Sequence, residues 1–133
     1  MKDQEPIVLP HTVPVLRQDI SEGIQENCQD CVIARAIRRT VPHIKGDFLS
    51  VQGDLVFLYQ FAYELPPEVV QFIKRFDEDA EVGEWQHATH NQRIEKDLED
   101  PTLKYEPFEF QITNRSFAYN RSTNWAKNAK EIA

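Results

Sequence analysis

Residues 48–65, FLSVQGDLVFLYQFAYEL, decide the fold. Aromatic and β-branched residues flank a compact Gly53-Asp54 turn, which predicts a β-hairpin with strands at residues 48–52 and 55–65. In the second strand, a period of two predicts one face shared by Phe57, Tyr59, Phe61 and Tyr63. We interpret this aromatic face as part of the core, and the alternative is a platform on which bases or ligands stack.

Amphipathic helices are predicted on both sides of this hairpin. Before it, the sequence CQDCVIARAIRRTVP starts at Cys28 and has apolar residues at helical spacing, with Asn27 as the N-cap and Pro42 at the end. After it, Pro66 and Pro67 fit the first positions of a helix. The sequence PPEVVQFIKRFDEDA then places an apolar side toward the core, formed by Val69, Val70, Ile73 and Phe76.

Two further strands are predicted outside these helices. Residues 11–17 (HTVPVLR) indicate an edge strand, because Pro14 cannot donate a hydrogen bond within a sheet, and residues 105–112 (YEPFEFQI) alternate as a last strand. Residues 19–23 predict a tight turn or a single helical turn closed by Gly23. The order β-α-β-β-α-β predicts the α+β class: a small antiparallel sheet of about four strands with two helices packed on one face, compatible with a ferredoxin-like arrangement.

The composition fits one domain over residues 1–133. The chain is 41% hydrophobic and 28% charged, which leaves room for a modest core and excludes a wholly disordered chain. No uncharged run approaches the roughly 20 residues that span a bilayer, and the first residues lack the pattern of a signal peptide. We therefore expect a cytoplasmic protein with a proline-rich leader (about 1–11), a polar insertion (about 78–104) and a basic, aromatic tail (about 113–133).

Acidic charge is concentrated in one segment. Residues 61–110 contain 13 acidic and five basic side chains, while the net charge of the whole chain is −7. A negative surface repels phosphate backbones and anionic membranes, so we expect neither a membrane nor, in general, a nucleic acid as the partner. An acidic patch more often keeps a protein soluble or contacts a basic protein surface.

The two cysteines, Cys28 and Cys31, form a C-x-x-C motif at the predicted helix start. A helix start stabilises a thiolate, so a redox site is one interpretation, although the neighbouring acids raise the pKa of a thiol. Zinc binding is a second interpretation if His87 and His90 (HATH) complete a tetrahedron, although their spacing is shorter than in zinc fingers. We favour the third interpretation, in which reduced cysteines help to seat the helix.

Three arginines, Arg35, Arg38 and Arg39, share one side of the first predicted helix. Their guanidinium groups can grip a phosphate or carboxylate ligand. The interpretation that we favour is a solvated helix face whose arginines pair with Asp and Glu.

The tail NRSFAYNRSTNWAKNAKEIA interleaves aromatic and basic residues. Such a segment can stack on single-stranded nucleic acid, but we favour a tail that wraps its own domain or a neighbouring subunit. In the second case the protein would be a homo-oligomer. Large aromatic side chains gain most from burial at an interface, so four are candidates if exposed: Tyr59, Phe61, Trp85 and Trp125.

The sequence contains no recognisable catalytic constellation. It has no Ser-His-Asp or paired-carboxylate arrangement, and four glycines provide no glycine-rich phosphate loop. We therefore predict that the protein is not an enzyme and has no cofactor, zinc being the one alternative.

Three groups of residues together resemble a group of small uncharacterised proteins of tailed bacteriophages and their prophages. They cover about half of the chain: Asp19-Ile20-x-x-Gly23 leading to Cys28-x-x-Cys31-x-Ile33-Ala34-x-Ala36-Ile37, Leu65-Pro66-Pro67-Glu68-Val69 with Phe72-Ile73-x-Arg75-Phe76-Asp77, and Pro107-Phe108-Glu109-Phe110. The resemblance implies a phage-encoded accessory protein that acts in the host cytoplasm and is not an enzyme.

These observations lead to two hypotheses of function. The first is a non-enzymatic accessory protein that binds a host protein during takeover of the cell or evasion of its defence. The alternative is a small ligand- or zinc-binding module that uses the C-x-x-C pair and the arginine face.

Overall fold

The structure, a computed structural model, describes residues 5–44 and 48–120, with the backbone alone at residues 117–120. Its elements follow in chain order: β1 (His11–Val15), α1 (Arg17–Glu22), α2 (Val32–Thr40), β2 (Leu49–Gln52), β3 (Leu55–Leu58), β4 (Phe61–Glu64), α3 (Pro67–Asp77), α4 (Ala80–His87), α5 (His90–Glu95), a 3₁₀ helix (Pro101–Lys104), β5 (Phe108–Ile112) and β6 (Arg115–Asn120).

The strands form two antiparallel sheets. β1 pairs with β5, with Val13 opposite Phe110, and the second sheet has the order β2-β3-β4-β6. The α+β class is therefore confirmed. The ferredoxin-like arrangement is wrong, because that fold places its strands in one sheet and here β1 and β5 pair apart from the hairpin.

The single long strand predicted at residues 55–65 is also wrong. The backbone reverses at Tyr59 and Gln60, so β3 and β4 pair with Leu58 opposite Phe61. Tyr59 adopts a left-handed conformation (φ 56°), and its ring stacks on Phe48 with 5.2 Å between centroids. This stacking supports a turn that contains no glycine.

The reversal redistributes the aromatic residues of the predicted face. Because antiparallel partners point to the same side, Phe61 and Tyr63 share a face with Leu58, while Phe57 points to the other side with Ala62. Phe57, Phe61 and Tyr63 are all buried. The prediction that these rings belong to the core is confirmed, although they do not form one face.

Helix α2 packs against both sheets through β1 and β2. The helix begins at Val32, not at Cys28, and its N-cap is Cys31. Asn27 caps the preceding turn instead, since its side-chain oxygen accepts the N–H groups of Gln29 and Asp30 at 3.0 and 2.9 Å.

The segment predicted as a polar insertion is largely helical. It contains α4, α5 and the 3₁₀ helix, and it buries Val82 and Thr102 completely. The predicted tail also begins with structure, because β6 pairs with β4, and residues 121–133 lie outside the described residues. Within the predicted leader, Ile7 is buried and Glu5 accepts a hydrogen bond from the Tyr63 hydroxyl at 2.9 Å.

No helix in the described part of the chain combines the length and the apolar character required to cross a membrane.

Candidate functional site

A cavity of about 620 Å³ opens between α4 and the 3₁₀ helix, and we call it the acidic cavity. Its polar lining consists of Glu81, Glu84, Asp97, Glu99, Asp100 and Lys104. Its apolar lining consists of Trp85, Leu98, Pro101 and Leu103. Five carboxylates and one amine make the cavity strongly negative, and the apolar residues give it a surface for van der Waals contact.

Three of the carboxylates have no partner among the side chains that the structure describes. Glu84, Asp97 and Glu99 are exposed, and within residues 5–44 and 48–116 their side chains make no hydrogen bond or ion pair. Asp100 and Glu81 are already engaged, since Asp100 caps the 3₁₀ helix and Glu81 lies 3.0 Å from Lys104 Nζ. The three unpaired charges are thus available to a positively charged ligand.

One wall of the cavity is built around Asp79. Its carboxylate accepts hydrogen bonds from Lys104 Nζ at 2.7 Å and from the Tyr105 hydroxyl at 2.6 Å, and it caps the N-terminus of α4. Burial raises the pKa of Asp79, but the hydrogen bonds from Lys104 and Tyr105 outweigh burial and bring that pKa to about 2. Bonds to Asp79 and Glu81 raise the pKa of Lys104, so both partners remain charged at neutral pH.

The cavity walls are fixed to the rest of the fold by side chains that bind backbone carbonyls. Arg17 donates to the carbonyls of Thr102 (2.9 Å) and Tyr105 (2.6 Å), which holds the 3₁₀ helix against α1. Helix α4 and its N-cap are held to the segment that follows α1: Gln25 donates to the Asp79 carbonyl at 2.8 Å, and Gln86 donates to the Gly23 carbonyl at 2.7 Å. The cavity is therefore preformed.

The apolar lining is partly free. Leu103 is 62% exposed, although leucine is usually buried. Trp85 is half-buried, and the Arg93 guanidinium lies 4.0 Å from the centre of its ring, so one ring face is covered by a cation–π contact. Trp85, a candidate from the sequence, lines the acidic cavity, and the Arg93 guanidinium already covers part of its ring.

A second cavity, of about 510 Å³, lies beside the first, and we call it the aromatic cavity. Phe72, Tyr105 and Phe108 provide its ring surfaces. Charged side chains complete the lining: Glu68, Arg75, Lys104, Glu106 and Glu109. Lys104 lines both cavities, so the two are neighbours along one surface.

The two cysteines have different environments. Cys28 is exposed, whereas Cys31 is buried and its sulfur accepts the Ala34 N–H at 3.4 Å as the N-cap of α2. Burial raises the pKa of Cys31 to about 11, so its thiol is protonated at neutral pH and is not an activated nucleophile. This geometry fits the structural interpretation of the C-x-x-C motif.

The predicted zinc ligands are not assembled. His87 ends α4 and His90 begins α5, and both are exposed. Among the residues that the structure describes, no group of three or more His, Cys, Asp or Glu side chains is placed to hold a metal ion.

Each arginine of the arginine face already has an acidic partner. Their nitrogens contact Glu22 (3.2 Å from Arg35), Asp30 (3.5 Å from Arg38) and Asp19 (bound by Arg39). Together with Gln18, the three arginines and Asp19 line a shallow depression of about 350 Å³. Their charge is compensated inside the molecule, which leaves less for an anionic ligand.

The remaining candidates fall elsewhere. Trp125 lies outside the described residues. Tyr59 is half-buried with one ring face stacked on Phe48, and Phe61 is buried with the Arg115 guanidinium 5.4 Å from its ring centre, so neither is a fully exposed aromatic residue. The uneven charge of the sequence indicated the segment that forms the acidic cavity, but it did not indicate that Glu84, Asp97 and Glu99 meet.

Comparison of the chain with protein-family models, with curated proteins and with solved structures gives no match.

Proposed function

We propose that this chain is a non-enzymatic binding protein that recognises a basic segment of a host protein through the acidic cavity. The observation that carries the proposal is that three carboxylates, on Glu84, Asp97 and Glu99, line one preformed cavity and have no partner within the described part of the chain.

The chemistry of the lining favours an arginine or lysine side chain as the ligand. Such side chains bury an apolar stem while the charged head remains hydrated or paired. Leu103 and Trp85 provide apolar surface for the stem, and the unpaired carboxylates accept charge-assisted hydrogen bonds from the head. A cavity of about 620 Å³ is also within the size range of ordinary ligand sites.

The sequence resemblance supports a host protein as the source of this basic segment. Phage accessory proteins act on components of the infected cell, and the net charge of −7 would accelerate encounter with a basic surface. No catalytic step is required for such a role, since binding alone blocks or redirects the partner.

The test compares two variants with equal changes in charge. The cavity variant carries Glu84→Gln, Asp97→Asn and Glu99→Gln, and the control variant carries Asp54→Asn, Glu64→Gln and Glu78→Gln at other exposed positions. The probe is the fluorescein-labelled peptide GRKRGKG. We expect the cavity variant to bind it at least about tenfold more weakly than the native chain, and the control variant to bind within about twofold.

The same pair of variants identifies the host partner. A protein captured from bacterial lysate by the native chain and the control variant, but not by the cavity variant, would support the proposal. Equal weakening in both variants would contradict it, since the attraction would then come from net charge alone.

A further inference from the structure

We infer that the basic segment bound in the acidic cavity also carries an aromatic side chain, and that this side chain binds in the aromatic cavity. This inference rests on the proposed function and adds a second recognition element to it. It commits the surface to one occupant: a peptide segment in which a cationic residue and an aromatic residue lie close together.

The first step is the continuity of the two cavities. Lys104 lines both, and Tyr105, the next residue, lines the aromatic cavity. Both side chains bind the Asp79 carboxylate, at 2.7 and 2.6 Å, so they form a fixed ridge between the cavities. A ligand that fills the acidic cavity and extends across this ridge enters the aromatic cavity directly.

The second step is the nature of the aromatic surface. The ring centroid of Phe72 lies 5.0 Å from that of Phe108 and 5.6 Å from that of Tyr105. Rings in contact with one another leave no gap in which a cation could be enclosed, so this is not an aromatic cage for a quaternary ammonium group. Phe72 is buried, so the half-buried rings of Tyr105 and Phe108 provide the surface against which another ring packs, with a typical centroid separation of about 4.5–7 Å.

The third step is the charge of the rim. Glu68, Glu106 and Glu109 are exposed at the aromatic cavity, where Arg75 and Lys104 supply the positive charge. Lys104 is already bound to Asp79 and Glu81. The rim therefore extends the negative potential of the acidic cavity, which selects an aromatic residue with basic neighbours over an aromatic residue in an acidic context.

The test uses three fluorescein-labelled peptides on the intact chain. The first, GRKRGFGK, contains basic residues and one phenylalanine. In the second an alanine replaces the phenylalanine, and in the third glutamines replace the first arginine, lysine and arginine. We expect loss of the phenylalanine to weaken binding about tenfold and loss of the bases to weaken binding at least as much.

Variants of the chain test whether the phenylalanine of the peptide binds in the aromatic cavity. In Phe108→Leu, which shrinks the ring surface, the affinity difference between the first two peptides should fall to about twofold or less, with stability checked by urea denaturation. Because Phe108 also packs on Phe110, a second variant is needed that leaves the core intact. Glu109→Arg at the exposed rim should weaken the first peptide about tenfold, while Asp54→Arg, the same change of charge in the β2–β3 turn, should have a smaller effect.

The outcomes separate this inference from the proposed function. If no basic peptide binds, the proposed function fails. If all basic peptides bind the native chain but the phenylalanine makes no difference, the inference alone is overturned. Self-association of the chain in sedimentation, abolished by Phe108→Leu, would also overturn it, because the occupant would then be a second copy of the chain.

Discussion

Asp79 is the residue on which both cavities depend. Its carboxylate accepts the backbone N–H groups of Glu81 (3.0 Å) and Val82 (3.3 Å) as the N-cap of α4. The same carboxylate holds Lys104 and Tyr105, which form the ridge between the acidic and aromatic cavities. One side chain thus fixes the start of a helix and the wall of two sites.

Replacing Asp79 with alanine should destabilise the protein by about 2.5–4 kcal/mol, since a helix cap is worth about 1 kcal/mol and bonds to a charged group about 1.5–3 kcal/mol. Urea denaturation measures this loss. Glu81→Ala is the matched control, because Glu81 also contacts Lys104 but its side chain is 77% exposed. We expect that variant to lose less than about 1 kcal/mol, and a loss equally small in Asp79→Ala would show that the Asp79 cluster is not structural.

The same variant should change the dependence of stability on pH. The pKa of Asp79 is lowered to about 2, so its contribution is complete above the usual aspartate pKa of about 3.9 and is lost as pH falls toward 2. Asp77 acts in the opposite direction, because burial raises its pKa. The difference in urea midpoint between native chain and Asp79→Ala isolates Asp79, and it should shrink between about pH 5 and pH 2.

The cysteines should differ in reactivity by their burial. Cys28 is exposed and Cys31 is buried, with a pKa raised by burial to about 11. Thiol titration of the native chain should therefore modify Cys28 rapidly and Cys31 only after addition of denaturant. Rapid modification of both thiols, confirmed with Cys28→Ser, would contradict the environment described for Cys31.

At the scale of elements, the junction between α1 and α2 depends on the absence of a side chain at Gly23. A Cβ atom there would lie 2.5 Å from Val32 Cγ2 and 2.7 Å from the Asp19 carbonyl oxygen, so the two helices would have to separate. Gly23→Ala should cost at least about 2 kcal/mol in urea denaturation. At Gly53 (φ +62°) a Cβ meets no atom within 4 Å, so Gly53→Ala should cost only about 1 kcal/mol of backbone strain, and an equal cost at both positions would exclude the clash.

The elements that sequence patterns predict well are those with a buried face and clear boundary residues. Helix α3 starts at Pro67, as the prolines predict, and buries Val69 and Phe76 of the predicted apolar side. It also buries Phe72, which the prediction did not include, while Val70 and Ile73 are half-buried. The sequence pattern does not predict the turn at Tyr59, because the turn contains no glycine, proline or asparagine. Stacking of the Tyr59 ring on Phe48 supports it instead. The sequence pattern favours a loop over most of α4 and α5, because the two helices together bury only Val82 and so have no clear apolar face. The Asp79 cap and the Thr89–Gln92 capping box are nevertheless helix signals that the sequence contains.

At the scale of the whole molecule, the sequence predicts the class of fold better than the arrangement. The patterns of β1 and β5 identify both strands, but pairing Val13 with Phe110 joins segments almost a hundred residues apart, and alternation does not specify partners. The candidate site follows the same rule. Charge counts locate the acidic segment, whereas the contacts that hold the cavity walls, such as those of Arg17 with Thr102 and of Gln25 with Asp79, join residues that are distant in sequence.

The distribution of charge over the molecule gives a final prediction about salt. If recognition uses the acidic cavity, binding of the GRKRGKG peptide should weaken about tenfold between about 0.05 M and about 0.5 M salt, because screening acts on exposed charges. In the cavity variant the remaining affinity should be nearly independent of salt, while the control variant, with the same net charge, should keep the native dependence. Fluorescence anisotropy measures all three slopes. Equal slopes in the two variants would mean that the net charge of −7, and not the placement of Glu84, Asp97 and Glu99, attracts the basic ligand.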